Sequence, residues 1–234
     1  MLNVKAAKIN AARKAVEELL NTLDSVNVIG VGTGSTVEEF IKQLAKFRRT
    51  LGDKYFTASS IDTVLKMKEY GFRVVHPASL STIDFYVDGA DEVDPNLNMV
   101  KGGGAALFLE KILTYYSKYK LFIVDRSKLV SWLGEKHPIP LEVNFYAVSF
   151  VEEFLKNKGY KVTVRRPVKG KYGPVVSDTF GIIVDMHLDK PVDTASLELE
   201  LKQIPGVIET GLFIGLADKV IVGYEDGARV LERK

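Results

Sequence analysis

"VNVIGVGTGSTVEEFIKQLAKF", residues 26–47, decides how the rest of the chain is read. Residues 26–32 are a short β-branched run, and residues 37–47 repeat their apolar positions with helical spacing. A strand that passes through glycines into a helix is the opening unit of an α/β sheet, and the segments that follow keep its rhythm. "KYFTASS" (54–60) leads into "IDTVLKMKEYG" (61–71), where Gly71 is a helix stop. Then come "FRVVHP" (72–77), "TIDFYVDGADEVD" (82–94), the glycine-rich "MVKGGGAALFLEKI" (99–112) and "LFIVDRSK" (121–128). Strands separated by helices of about ten residues imply a parallel sheet with right-handed crossovers. Ligands of such sheets collect beyond the carboxyl ends of the strands.

The pattern changes near Trp132. "HPIPLEV" (137–143) reads as a proline-punctuated connection, the setting in which domain boundaries fall. Beyond it the spacing predicts a helix over 145–160, a strand over 161–168, a turn over 169–174 and a strand over 179–188. A helix follows over 193–204, with Asp193 as its N-cap. That order suggests a small ferredoxin-like α+β domain. The tail "ADKVIVGYEDGARVL" (217–231) reads as a further strand and turn that rejoin the first sheet.

Composition narrows the function classes. The 234 residues are 46% hydrophobic and 26% charged, ordinary for a globular protein. A net charge of +2, with no basic cluster interleaved with aromatics, argues against nucleic acid as a partner. No apolar run approaches the roughly 18 residues that span a bilayer, and residues 1–20 read as an amphipathic helix rather than a signal peptide. No membrane partner is expected, and the expected compartment is the cytoplasm. The absence of cysteine removes disulfides, thiol nucleophiles and thiolate metal sites together. His76, His137 and His187 are scattered and two of them directly precede proline, so they read as structural and no metal is expected.

Three segments carry chemistry. In "GVGTGST" (30–36) glycines let the backbone approach a ligand, N–H groups at the helix start attract an anion, and Ser35 and Thr36 add hydroxyls. A dinucleotide fingerprint fails, because Ser35 or Val37 stands at its last glycine, and no Gly-Lys pair precedes Ser35 to make a Walker loop. A small phosphate-binding loop remains, beside the plainer reading of a turn with an N-cap. In "DGADEVD" (88–94) Asp88 and Asp91 fall just past the end of a strand, where a site needs them. The spacing fails the EF-hand loop, and the plainer reading is a solvated acidic loop whose aspartates cap turns. In "KGGGAALFLEKI" (101–112) Lys101 and three glycines form another anion cradle. Glu110 is the only carboxylate between Asp94 and Asp125, and it shares a helix face with Ala106, Leu107, Leu113 and Thr114. Such neighbours desolvate a carboxylate and raise its pKa, as suits a group that takes and returns a proton. The plainer reading pairs Glu110 with Lys111 or Lys118. Lys128, after the strand "LFIVD", is a weaker candidate for the same sheet edge.

Taken in order, "GVGTGST", "DGADEVD", "KGGGAALFLEKI" and "VDRSK" resemble the signature segments of type A ribose-5-phosphate isomerases. "ASSIDTVLKMKEYG" and "IPGVIETGLF" extend the resemblance, which is weakest across residues 145–200. It implies an aldose–ketose isomerase interconverting D-ribose 5-phosphate and D-ribulose 5-phosphate, with no metal or organic cofactor, assembled as a homodimer or homotetramer. The implied fold is an α/β Rossmann-like parallel-sheet domain, drawn at residues 1–131 and 208–234, with the smaller ferredoxin-like α+β domain at 132–207. The family's glutamate base matches Glu110. Its substrate-contacting segments match Thr33, Gly34, Ser35 and Thr36, then Asp88, Gly89, Ala90 and Asp91, then Lys101, Gly102, Gly103 and Gly104, with Lys128 beyond them. Within that mechanism Glu110 is the proton shuttle, Lys101 stabilises the oxyanion, and Asp88 opens the sugar ring and moves hydroxyl protons. Phe108 and Leu109 depart from the threonine–arginine pair of some members and make the helix more apolar. A sugar-phosphate-sensing module, an amino-sugar phosphate deaminase and a nucleotide-binding oxidoreductase are the alternatives in order.

Overall fold

The computed structural model describes residues 3–170 and 172–233. Lys171, inside the turn expected over 169–174, lies outside the described residues, as do Met1, Leu2 and Lys234. In chain order the main elements begin with α1 (Val4–Asn21), β1 (Val28–Val31), α2 (Ser35–Ala45), β2 (Tyr55–Ala58) and α3 (Ile61–Glu69). Next are β3 (Ile83–Asp88), α4 (Leu107–Tyr115), β4 (Ser117–Asp125), β5 (Ile139–Val143), α5 (Val148–Asn157) and β6 (Lys161–Val164). The chain closes with β7 (Ile182–His187), α6 (Thr194–Lys202), β8 (Val207–Thr210), β9 (Lys219–Tyr224) and β10 (Gly227–Glu232). Packing divides it into two units. One is Met1–Ala90, Leu109–Lys128 and Leu216–Lys234; the other is Asp91–Phe108 and Leu129–Gly215.

The first unit is built on a six-stranded sheet in the order β10-β9-β4-β3-β1-β2. All its neighbours pair in parallel except β9 and β10. Its inner strands are apolar almost throughout, as required when a parallel sheet is buried on both faces. Ala11, Ala15 and Leu19 of α1, and Phe40, Ile41 and Leu44 of α2, are buried in one cluster with Ile29, Phe85 and Ile123 of the sheet. Register then fixes the working edge. Val31 pairs with Ala58 on one side and with Val87 on the other, so β1, β2 and β3 end together and deliver residues 32–34 and 88–90 to one place.

The second unit runs β5-α5-β6-β7-α6-β8, and its antiparallel sheet has the order β8-β5-β7-β6. Numbered within the unit that order is 4-1-3-2, the ferredoxin-like arrangement. Leu141, Val143, Leu155, Val184, Met186 and Leu201 form its core. The carboxylate of Asp193 accepts the N–H groups of Ala195 and Ser196, so the cap stands where the sequence puts it. The expected small domain of 132–207 lies inside this unit, which also takes in Asp91–Phe108 and reaches to Gly215. Residues 99–100 pair with 92–93 on one side and with 212–213 on the other, and that three-stranded ribbon draws the segment in.

One segment departs from its sequence reading. Residues 139–143 are not a connection but an inner strand of the small sheet, despite Pro140. Proline interrupts a ladder by lacking an N–H. Here β8 ends at Thr210, and on that side the Pro140 carbonyl accepts the N–H of Gly211, at 2.6 Å, so the missing donor falls where the ladder is finishing.

Candidate active site

In the first unit β1 hands over to α2 through Gly32, Thr33 and Gly34. Gly32 leaves no room for a side chain, because a Cβ there would sit 1.8 Å from Oδ1 of Asp88. The close approach lets the Thr33 N–H donate to Asp88 Oδ1 at 3.0 Å. Gly34 is the N-cap of α2, with φ of 129° and no side chain to offer, so no side chain seals the first turn of the helix. An uncapped N-terminus attracts an anion through its N–H groups and its dipole. Thr36 is buried within that turn, and Ser35 is exposed. The Lys8 ammonium, from α1, donates to Ser35 Oγ at 2.8 Å and brings a positive charge to the same spot.

The Thr33 hydroxyl points elsewhere. It lies 2.8 Å from Ser59 Oγ and 2.7 Å from Ser60 Oγ, and the Thr63 hydroxyl donates to the Gly32 carbonyl at 2.8 Å. This hydroxyl cluster pins the loop after β1 to the start of α3.

Asp88 ends β3 and is fully buried. Its Oδ1 also accepts the Gly89 N–H at 2.7 Å, and its Oδ2 accepts the Tyr86 phenol at 2.6 Å. Burial, then the charge of Asp88 and then that of Glu110, push the Tyr86 phenol well above its ordinary value. Tyr86 therefore remains a hydrogen-bond donor, and it reports that the two carboxylates share one neighbourhood. Glu110 projects from α4 with 3% of its surface exposed. The Thr114 hydroxyl, one turn on, donates to the Glu110 main-chain carbonyl at 2.7 Å. Lys128 is half-buried in the turn after β4.

In the second unit the acidic loop sorts its members by burial. Glu92 is fully buried, and its two oxygens accept the N–H groups of Gly134, Lys136 and His137 at 2.6–2.7 Å. Asp94 accepts the N–H groups of Asn96 and Asn98, both at 2.8 Å. Glu92 is thus a brace and Asp94 a turn cap, whereas Asp91 turns to the glycine loop and accepts the Gly103 N–H at 2.7 Å. Lys101 is 2% exposed, its ammonium 5.4 Å from the centre of the Phe213 ring, and its N–H donates to the Gly211 carbonyl at 2.8 Å. Gly102 has φ of 109°, and a Cβ there would press on Leu107 at 2.9 Å, so only glycine serves. On the far side Arg165 donates to the carbonyls of Gly102 and Gly103 at 2.7 and 3.1 Å.

Lys8, Tyr86 and Arg165 escape sequence reading. Lys8 looks like any lysine of an amphipathic helix, and Tyr86 like an alternate residue of a buried strand. Only Tyr86 carries a local signal, a phenol two positions before Asp88 on the same face of β3. Among the described residues no group of three or more His, Cys, Asp or Glu side chains could hold a metal ion.

Residues 55–227 match the model of ribose 5-phosphate isomerase A (phosphoriboisomerase A). A ribose-5-phosphate isomerase A of Thermococcus kodakarensis is 41% identical over 228 residues, which cover 96% of this chain and 99% of the relative. One from Aeropyrum pernix is 44% identical over 223 residues, covering 94% and 93%. Among solved structures, a D-ribose-5-phosphate isomerase in complex with phospho-erythronic acid superposes with a TM-score of 0.92 at 39% identity, covering 99% of this chain and 100% of that one. The ribose 5-phosphate isomerase A of Methanocaldococcus jannaschii gives 0.90 at 35% identity, covering 97% and 99%.

Proposed function

This chain belongs to the ribose 5-phosphate isomerase A family and is an aldose–ketose isomerase that interconverts D-ribose 5-phosphate and D-ribulose 5-phosphate, and from that premise we propose how its residues do so. Membership selects this activity over the sensing module, the deaminase and the oxidoreductase. The observation that carries the assignment of roles is one buried carboxylate, Glu110, in the electrostatic neighbourhood of Asp88 at the carboxyl edge of a parallel sheet.

The substrate phosphate binds the open first turn of α2, on the N–H groups of Ser35 and Thr36, with Lys8 as its counter-charge. Gly34 leaves that turn unobstructed. Asp88 takes the proton of the anomeric hydroxyl and returns it to the ring oxygen as the C1–O4 bond breaks and the furanose opens, then carries the O2 proton to O1 as the enediolate becomes the ketose. Glu110 removes the proton from C2 and returns it to C1 on one face of a cis-enediolate, as the single glutamate base of triosephosphate isomerase does. Lys101 and the glycine loop stabilise the oxyanion. Asp91 holds that loop, and Lys128 positions the sugar. Only protons change place, so the reaction balances without an oxidant or reductant.

Ribose 5-phosphate followed by proton NMR in D₂O is expected to give ribulose 5-phosphate with wild-type protein, and no ketose would overturn the activity. In the same assay Lys8→Met is expected to raise KM by about 10- to 100-fold, the worth of one charged hydrogen bond, with kcat little changed. The phosphate is held equally in ground and transition states, so a loss confined to kcat would remove Lys8 from that role.

Assembly follows from a second surface. Phe145, Tyr146, Phe150 and Phe154, on and before α5, are 55%, 80%, 78% and 45% exposed. The rings of Phe145 and Tyr146 stack at 4.0 Å, while Phe150 and Phe154 line a groove of about 380 Å³ with Val151, Ile204 and Pro205. At typical aromatic areas the four rings expose on the order of 500 Å². That is at the upper end of what a monomer leaves bare, where such patches mark interaction sites, and it is a large part of the roughly 800 Å² each partner gives to a stable interface. A protruding pair beside a groove suits a second copy related by a two-fold axis. Light scattering is expected to give a multiple of the single-chain mass and Phe150→Glu to lower it; an unchanged mass in the variant would move the interface elsewhere. No described helix is long and apolar enough to cross a membrane, and we assign the enzyme to the cytoplasm, with its ionic substrate.

A further inference from the structure

The glycine loop of residues 102–104 is held by a guanidinium 63 residues further along the chain. Arg165 directly follows β6, and its own N–H and C=O are bonded to Ile183 and Val175 at 2.8 Å each, so its backbone is fixed. Its Nε donates to Asp185 Oδ2 at 2.8 Å and its Nη2 to Asp185 Oδ1, leaving Nη1 for the carbonyls of Gly102 and Gly103. The two side chains are only 17% and 12% exposed. A bidentate, half-buried pair on a rigid sheet is a firm anchor.

The direction in which this anchor turns the loop follows from peptide geometry. In a planar trans peptide the carbonyl of one residue and the N–H of the next point in opposite directions. With the Gly102 carbonyl on Arg165, the Gly103 N–H faces away, and there it meets Asp91 Oδ2 at 2.7 Å. With the Gly103 carbonyl also on Arg165, the Gly104 N–H is turned away from the guanidinium as well. Gly104 is exposed, and no hydrogen bond among the described residues uses its N–H. Asp91 occupies the Gly103 donor, so of the two N–H groups that the clamp turns outward it is Gly104's that meets a ligand oxygen.

We propose that Arg165, clamped by Asp185, is a positioning residue for the isomerisation: by holding two carbonyls it aims the Gly104 N–H at the oxygen that gains charge in the enediolate. This rests on the reading of the glycine loop as the oxyanion cradle. The charge of Arg165 is matched by Asp185, so its contribution is direction rather than field. Lysine keeps the charge but lacks the planar fork, and it cannot bridge a carboxylate and two carbonyls at once.

Steady-state kinetics on Arg165→Met and Arg165→Lys test this. Both are expected to lose about 10- to 100-fold in kcat, with KM within about threefold of wild type, because the donor acts on charge that develops in the transition state. Guanidinium added to Arg165→Ala is expected to restore part of kcat without altering the melting temperature, a response that a purely structural role does not give. Should Arg165→Met fail to fold, Asp185→Asn keeps the guanidinium and loosens its anchor, and a smaller loss of the same kind is expected. Turnover within twofold of wild type in the lysine variant, or a loss that falls on KM, overturns the inference. Glu110→Gln in the same assay separates the premises: if it is inactive while the Arg165 variants are normal, only the positioning role falls, and if it turns over normally the site reading itself falls.

Discussion

Glu110→Gln is expected to bind ribose 5-phosphate almost as wild type does and to isomerise it at a rate lower by about three to four orders of magnitude. Glutamine has the shape of glutamate, so the pocket in α4 that leaves 3% of Glu110 exposed should accept it without rearrangement. What it loses is the basicity to take a proton from carbon. The reaction needs that group twice, once to remove the proton from C2 and once to deliver it to C1, and no second carboxylate lies on the helix. Asp88, fully buried, is already engaged by Thr33, Tyr86 and Gly89. Its replacement of Glu110 would require breaking those bonds. A KM within about threefold of wild type with kcat near background is the signature of a base that acts on the transition state alone. Ketose formation by the variant at a near-normal rate would take the shuttle away from Glu110.

Lys101→Met comes next in size, with a loss of about 10²–10³ in kcat, the usual consequence of removing one preorganised oxyanion donor. Methionine preserves the apolar stem that packs near the Phe213 ring, so the change is one of charge more than of volume. Lys101 is 2% exposed, and a charge in so dry a place interacts more strongly than it would in water. The expected result is a kcat effect with a smaller rise in KM, since the ground-state carbonyl carries less charge than the enediolate. A variant that loses only affinity would assign Lys101 to ground-state binding.

Much of this site is legible in the sequence alone. The strand–glycine–helix opening gave the sheet, and glycines, aspartates and a lone glutamate at strand ends have chemical meanings that do not depend on distant contacts. What was hidden depends on distant contacts. Lys8 reaches Ser35 across 27 positions and Arg165 reaches Gly102 across 63, and neither spacing leaves a periodic trace. Pro140 misled because a local rule, proline as a boundary, yields where the ladder ends beside it. Glu92 and Asp91 are neighbours in one acidic run, yet one braces residues 134–137 and the other holds the glycine loop. Composition could not tell them apart; the direction in which each points, Glu92 from the short strand of residues 92–93 and Asp91 from the position just before it, does.

The division of the chain has a bearing on how such an enzyme can be altered or recombined. Chain passes from one packing unit to the other at 90/91, 108/109, 128/129 and 215/216. The first two crossings bracket a segment that includes Asp91, Lys101 and the glycine loop, and Asp88 and Glu110 lie just outside its ends. A chimaera that exchanges residues 129–215 alone, between its natural-looking joints, leaves that segment behind and parts Gly102 from the Arg165 it was matched with. Exchange that preserves the match must carry two separate stretches of gene at once. The units are two in packing and one in inheritance.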